Sequence, residues 1–386
     1  MKKIVFALIC VFVSVGYSYA QEKISIEIQP YLQNLSDTEV TIVWKSSLES
    51  VGWVEIAPHD GNHFYYEKRP QFFDAQNGIK NVSKIHRVQV TDLKPGTRYD
   101  YRVFSRHVTS REKNKVYYGN VASTKVYRHA PLSFTTPSKD ISTFRFAMVN
   151  DIHGNSKRME TLLSAAGLDS LDLVIFNGDM VSIFDSEQTV FEGFMTDAIR
   201  LFASEKPMYY TRGNHETRGV LAPSFKSYFS PYAEAIYYAF RWGDTCFVVL
   251  DTGEDKPDSD IEYWDINLYD QYRSRQAKWL EGVLKSEMYL KARHRVIVGH
   301  VPPFGGWHGN KEIEEKFMPL LRSASPSVML CGHMHKYVKK DKDVKTCFPI
   351  IVNSNKTILV CSVSPKNLKI NVINEKGEIK DSIELE

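Results

Sequence analysis

No stretch of these 386 residues stays apolar long enough to cross a bilayer, no charge of either sign dominates, and no repeat or low-complexity tract interrupts the chain. The first absence excludes a transmembrane α-helix. The second, a net charge of +3 from 49 Lys+Arg against 46 Asp+Glu, excludes the global basic field that would make nucleic acid or an anionic membrane the main partner. Cysteine is scarce too. Beyond Cys10 there are Cys246, Cys331, Cys347 and Cys361, without the spacing of a zinc ribbon. In an oxidising compartment these four permit three full pairings; each also sits beside an apolar run, where a buried free thiol fits equally well. What is present, 43% hydrophobic and 25% charged residues, is a globular composition over a length that suits two domains.

The apolar run at 4–15 follows Lys2 and Lys3 and precedes Ser18, Tyr19 and Ala20. Charge, short hydrophobic stretch and small residues in that order form a secretory leader. Cleavage near Ala20 predicts an exported product, secreted or periplasmic, carrying 47 basic against 46 acidic residues.

From residue 24 to 136 the chain reads as all-β. Short alternating or aromatic-rich runs recur at 24–28, 40–45, 51–57, 85–91 and 98–105, separated by Pro, Gly, Asn and Asp. Pro95 and Gly96 make a turn, and Tyr99 opens the next strand, placed so that a buried hydroxyl bonds back to the corner backbone. With Trp44 on an early strand, this stretch resembles a fibronectin type III or immunoglobulin-like sandwich. The irregular insertion at 60–84, with Phe64, Tyr65, Tyr66, Phe72 and Phe73, is either a flap over a neighbouring site or a loop packed on its own sandwich.

The pattern changes after the polar segment 136–142. From 143 to 386, apolar strand-like runs alternate with amphipathic stretches at 157–167, 187–204 and 270–287, which predicts an α/β layered domain. Short strands at 349–353, 357–363, 368–373 and 379–384 complete it.

Five apolar runs of this second unit end on a residue able to bind a metal. Residues 144–150 lead into Asp151 and His153, 173–178 into Asp179, and 208–213 into Asn214, His215 and Glu216; 295–299 lead into His300 and 328–332 into His333 and His335. Sites in α/β sheets form beyond the carboxyl ends of strands, so one sheet edge is predicted to gather these side chains. Four of the runs place Gly directly before the polar residue, where it permits a sharp turn and close backbone approach. Asp-x-His or Gly-Asp alone is a common accident. Gly-His-x-His is rarer, with about 0.02 chance occurrences expected from 21 Gly and 12 His in 386 residues. Met334 between the two histidines points the other way on an extended segment, so both imidazoles face one site. His86, His107, His129 and His294 lack such company and are expected to be satisfied core histidines.

The order D-x-H, G-D, G-N-H-E, G-H, G-H-x-H resembles the calcineurin-like metallophosphoesterase superfamily. The β-sandwich ahead of it resembles the two-domain arrangement of purple acid phosphatases. The resemblance covers about residues 24–340 and is strongest from 144 to 335. It implies a four-layer α/β (α+β) sandwich behind the all-β unit, and two divalent or trivalent ions sharing Asp179. Asp151, His153, Asp179 and His335 would hold one ion; Asp179, Asn214, His300 and His333 would hold the other. Mixed N and O donors suit Zn, Fe or Mn better than Mg or Ca. The implied activity is hydrolysis of a small-molecule phosphate ester by a hydroxide formed on the metal pair, monoester ahead of diester or nucleotide. His215 would contact phosphate and protonate the leaving oxygen, with Glu216 orienting it.

Other residues keep two readings. His308, eight residues after His300 in a Pro- and Gly-rich loop, is a second substrate contact or a surface histidine. Arg212 and Arg218 meet phosphate oxygens or form salt bridges. Glu254, Asp255, Asp258, Asp260, Glu262 and Asp265 face the site or solvent. One departure is specific: the purple enzymes resemble G-D-x-x-Y, with the tyrosine on ferric iron, whereas Ser182 stands at that position here and His153 adds a ligand that they lack. A colourless protein is predicted. The answer of another class, an adhesion or binding protein with an inactive second domain, would be favoured by a gap in the ligand set, and no member is missing.

Overall fold

The computed structural model describes residues 22–229 and 235–386; the leader-like residues 1–20, Cys10 among them, lie outside these. One long strand organises the all-β unit. Val40–Pro58 pairs first with Ile26–Gln33 and Ser83–Val90, then, past a register shift between Lys45 and Ser50, with Arg98–Glu112 and Gln71–Phe73. The strand therefore serves both faces of the sandwich. Val40, Ile42 and Trp44 enter the core before the bend, and Val54 and Ile56 after it. The bend itself is polar: the Ser46 and Ser50 hydroxyls are 2.9 Å apart, and Ser50 Oγ lies 2.7 Å from His86 Nε2, which makes His86 a core histidine. Trp44 Nε1 donates to Ser105 Oγ (2.9 Å), and the Tyr99 hydroxyl accepts from the Lys94 N–H (2.8 Å), the corner bond expected of it. The 60–84 insertion packs on its own sandwich. Gln71–Phe73 pairs with residues 53–55, the Phe73 and Trp53 rings are 5.9 Å apart, and Arg69 covers Phe64. None of its residues lines the cleft described below, so the flap alternative falls.

The second unit stacks two six-stranded sheets. In the first, the order is Met208–Thr211, Leu173–Asn177, Phe144–Val149, Thr357–Val363, Leu368–Asn374, Ile379–Leu385, parallel among the first three and antiparallel beyond. In the second it is Tyr238–Trp242, Thr245–Leu250, His294–Gly299, Val328–Cys331, Ile350–Val352, Val338–Lys340, with the middle four parallel. Both faces of each sheet are covered, which is why its strands read as unbroken apolar runs. Phe146, Met148, Ile175, Val296 and Val298 fill the space between the sheets. Ala147, Val149, Val174 and Phe176 face an outer helical layer, Ser156–Ala165 and the mixed α and π turns of 187–203. Val248, Ile297 and Met329 face Tyr269–Leu284, His308–Lys316 and Met318–Ala324 on the other side. The fold is thus helix, sheet, sheet, helix, in four layers.

A core this large needs no covalent staple. Cys246, Cys331 and Cys361 are buried on strands, Cys347 is half-buried, and all four are free thiols. The sandwich is fastened to the second unit by tyrosine hydroxyls: Tyr31 donates to Tyr228 O (2.8 Å), Tyr101 to Ser204 O (2.6 Å) and Tyr209 to Leu35 O (3.0 Å). Lys45 adds ion pairs to Glu27 and Glu187, one on each unit.

Candidate metal centre

The strand ends deliver the side chains that the sequence singles out, but from two sheet edges rather than one. Asp151, Asp179 and Asn214 follow three neighbouring strands of the first sheet; His300 and His333 follow two neighbouring strands of the second. Because the sheets are stacked, their carboxyl ends meet across the inter-sheet core. The loops are laced by backbone bonds from Asp151 N–H to Gly178 O (3.0 Å), His153 N–H to Asp179 O (3.0 Å) and Gly332 N–H to His300 O (2.9 Å).

Much of the bending falls on the ligand candidates themselves. Asp151, His153, Asp179, His333 and His335 all have left-handed backbones, with φ of 54°, 51°, 53°, 71° and 55°. Each such non-glycine residue costs roughly 1–2 kcal/mol, and a cluster of them marks a functional constraint. The preceding glycines serve close approach instead. A Cβ on Gly213 would lie 2.2 Å from Asp179 Oδ1, one on Gly178 2.5 Å from His300 Nδ1, and one on Gly332 2.9 Å from Asp151 Oδ2. Gly299 has only ordinary contacts, so its small size is not required.

Two groups form. Asp151, His153 and His335 lie together, as do Asp179, His300 and His333, and Asp179 also closes a third group with His153 and His215. Asp179 therefore stands between the two. His335 Nε2 is 3.2 Å from Asp151 Oδ1 and 3.1 Å from His153 Nε2; His300 Nε2 is 3.0 Å from Asp179 Oδ2 and 4.0 Å from Asp151 Oδ1.

These residues fit cations on two counts. Asp151 is fully buried and its Oδ1 accepts no hydrogen bond, although three imidazole nitrogens converge on it within 4.0 Å. The Asn214 amide joins the two groups' neighbours, its nitrogen donating to His333 Nδ1 (3.0 Å) and Asp179 Oδ2 (3.3 Å) and its oxygen accepting from the Arg218 guanidinium (3.3 Å). Second, burial opposes charge on His300, yet Asp179 and Asp151 outweigh it and lift its pKa to about 10. Burial likewise opposes ionisation of Asp179, but His300 and His215 hold its carboxyl well below the usual range. A proton on His300 thus balances the buried carboxylates, and a bound cation would take its place. Burial and the charge of His300 depress His333 to about 4, keeping that imidazole neutral as a ligand must be.

The three catalytic candidates separate. His215 lines a cleft of about 470 Å³ with Asp179, Asn214 and His333; its Nδ1 donates to Ser182 O (2.7 Å), which leaves Nε2 toward Asp179 Oδ2 at 4.0 Å. Glu216 makes no contact with the His215 ring. It is buried beneath the loops, accepting from the backbone N–H groups of Asp179 (2.9 Å), Met180 (2.8 Å), Val181 (3.2 Å) and Gly213 (2.9 Å) and from the Tyr210 hydroxyl (2.9 Å). The expectation that it orients His215 is corrected to clamping the Asp179 turn. His308 is corrected as well. It opens a helix rather than sitting in a loop, pairs with Asp270 (2.8 Å), and does not line the cleft.

Salt bridging accounts for both arginines. Arg212 is buried against Asp251 (2.7 Å), and Arg218 forks onto Glu254 (2.6 and 3.0 Å) and reaches Asp255 (3.3 Å). Of the acidic loop only Asp255 reaches the cleft, where burial and Glu254 push its carboxyl up to about 6. For Asp255 the site-facing alternative holds, and Met334, expected to point away from the histidines beside it, lines the cleft too. Sequence reasoning missed Phe304, Trp307, Asn310 and Lys336, whose only signal was their nearness to His300 and His335 in the chain.

Both units of the chain have relatives among known proteins. A family model described as calcineurin-like phosphoesterase matches residues 144–337, and one described as purple acid phosphatase, N-terminal domain, matches 27–136. Purple acid phosphatase 21 of Arabidopsis thaliana is 26% identical over 318 residues, covering 74% of this chain and 63% of that protein; purple acid phosphatase 22 is 27% identical, covering 66% and 53%. The chain thus spans less than two thirds of the length of these relatives. The structure of a purple acid phosphatase from yellow lupin (Lupinus luteus) seeds superposes with a TM-score of 0.67 at 15% identity, covering 92% of this chain and 73% of that one, a likeness of fold. With half the chain matched by the first model, including every strand end that carries the cluster, the protein belongs to the calcineurin-like phosphoesterase family.

Proposed function

We propose that the protein is an exported phosphatase that uses two metal ions, held with Asp179 between them, to hydrolyse small-molecule phosphate monoesters. The observation that carries this reading is the convergence of Asp151, His153, His335, Asp179, Asn214, His300 and His333 around a shared carboxylate, with Asp151 Oδ1 left without a hydrogen bond. When bound, Zn, Fe or Mn would polarise the phosphoryl group and supply a water acidic enough to give a nucleophile near neutral pH. The chain's residues would do the rest. Ser182 O fixes Nδ1–H of His215, so a second proton on Nε2 makes an imidazolium directed into the cleft. That group can contact a phosphate oxygen and give its proton to the leaving alcohol. Export rests on the leader pattern of residues 1–20, and no helix among the described residues is long and apolar enough to cross a membrane.

Metal analysis with parallel assays on an aryl phosphate monoester and diester tests the reading. Two tightly bound ions with hydrolysis of neither, across pH and metal choice, would favour a binding protein; preference for the diester would move the substrate class. His215→Asn is expected to keep both ions and slow turnover by roughly 10²–10⁴-fold. Loss of an ion would instead make His215 a ligand, as its place beside His153 and Asp179 permits. The holoprotein is expected to be colourless. Ser182 offers no phenolate and no tyrosine lines the cleft, so a strong visible charge-transfer band would contradict the ligand set.

A further inference from the structure

We propose that Trp307 is the wall against which the esterified group of the substrate lies, and that this group is a planar aromatic ring; the proposal rests on the phosphatase reading above. Trp307 is 51% exposed and lines the same cleft as Asp179, His215 and His333. Exposure alone does not select it, since Trp264 is 85% exposed and lines no part of the cleft. What distinguishes Trp307 is that its backbone is held while its ring is left uncovered. Gly305 and Gly306 take φ of 142° and 96°, and a Cβ on Gly305 would lie 2.7 Å from Asn310 Oδ1. The Asn310 side chain is buried and ties the loop together, accepting from the Trp307 N–H (2.9 Å) and donating to Pro302 O (2.7 Å). The helix that begins at His308 fixes the far side.

Among the described residues the Trp307 indole has no ring partner and no cation over it. Phe304, its aromatic neighbour in the cleft, has the Lys340 ammonium 3.8 Å from its ring centroid, so one of its faces is taken. Of the three cations in the cleft, Arg218 and Lys256 are paired with Glu254 and Glu262, and Lys336 follows the ligand candidate His335 directly, on the phosphate side. Recognition of the phosphate belongs to the metal centre and His215; the Trp307 side offers a rigid apolar face whose preferred partner is a π surface.

The test compares kcat/KM of wild type, Trp307→Ala and Trp307→Phe on p-nitrophenyl phosphate, adenosine 5′-monophosphate and glycerol 2-phosphate. The variant to wild-type ratio on each substrate cancels its intrinsic leaving-group reactivity. Trp307→Ala is expected to lose about tenfold on an aromatic substrate, mainly through KM, and less than about twofold on glycerol phosphate, with Trp307→Phe recovering most of the loss. A loss on the aryl ester alone places the ring next to the phosphate; a loss on the nucleotide alone places it one ribose away. Equal losses on all three, or none, overturn the proposal. If the metal-loaded wild type hydrolyses none of them, the phosphatase reading fails instead. Intrinsic fluorescence then decides: quenching by phenyl phosphate in wild type but not in Trp307→Phe upholds the wall, and equal or absent quenching overturns it.

Discussion

An Asp179→Asn variant is expected to lose both metal ions and at least about 10³-fold of turnover while remaining folded. Asp179 belongs to two of the ligand groups, with His300 and His333 and with His153 and His215, whereas Asp151 belongs to one. Its two oxygens have different duties. Oδ1 accepts from the His215 N–H (3.0 Å), a bond that an amide oxygen reproduces; Oδ2 lies 3.0 Å from His300 Nε2, where the amide NH₂ would present a donor and no charge. The substitution therefore keeps the shape of the turn and removes the anion that binds. Asp151→Asn supplies the contrast, because Asp151 Oδ1 lies 3.2 Å from His335 in its own group but 4.0 Å from His300, whose 3.0 Å partner is Asp179. Metal counts per chain should fall from two to none in Asp179→Asn and to one in Asp151→Asn. Retention of one ion by Asp179→Asn would show that the carboxylate is not shared, and the two-ion reading would have to be rebuilt.

What could be read ahead of the structure was set by local chemistry. A ligand at the end of an apolar strand leaves a mark in sequence because strand, turn and donor are contiguous, and so Asp151, Asp179, Asn214, His300 and His333 were all legible. The runs at 40–45 and 51–57 and the corner at Tyr99 were legible for the same reason, although the polar stretch between the two runs hid that they form one strand. The division of the strand ends between two stacked sheets was not, because doubly buried strands carry no period that says which neighbour they pair with. The role of Glu216 was hidden by its adjacency to His215. Successive residues of a tight turn point in different directions, and its donors arrive from Asp179, Met180, Val181 and Tyr210, none of which marks itself in the chain as a partner. His308 looked like a loop residue because two prolines and two glycines precede it, yet those residues shape the entry to a helix, and the side chain that faces the cleft is its neighbour Trp307.

Glu216→Gln is expected to lower stability by about 3–5 kcal/mol, a fall in Tm of about 10 °C, and to weaken metal retention although Glu216 holds no metal itself. Burial, and then the charge of Asp179, resist ionisation of this carboxyl, yet every group around it within hydrogen-bond reach is a donor. A glutamine has the same shape and only one oxygen. With its nitrogen on the Oε2 side it confronts the N–H groups of Asp179 and Gly213; on the Oε1 side it confronts those of Met180 and Val181, and only the Tyr210 hydroxyl can turn to accept. At least two buried N–H groups lose their partner either way, at about 1–3 kcal/mol each. The consequence reaches the metal centre because Asp179 sits at φ 53°, a backbone that persists only while its surroundings over-determine it. Calorimetry on metal-free wild type and variant isolates this effect, since a bound ion would stabilise the folded state by mass action. A variant with wild-type Tm and metal content but reduced turnover would return Glu216 to the task of orienting His215.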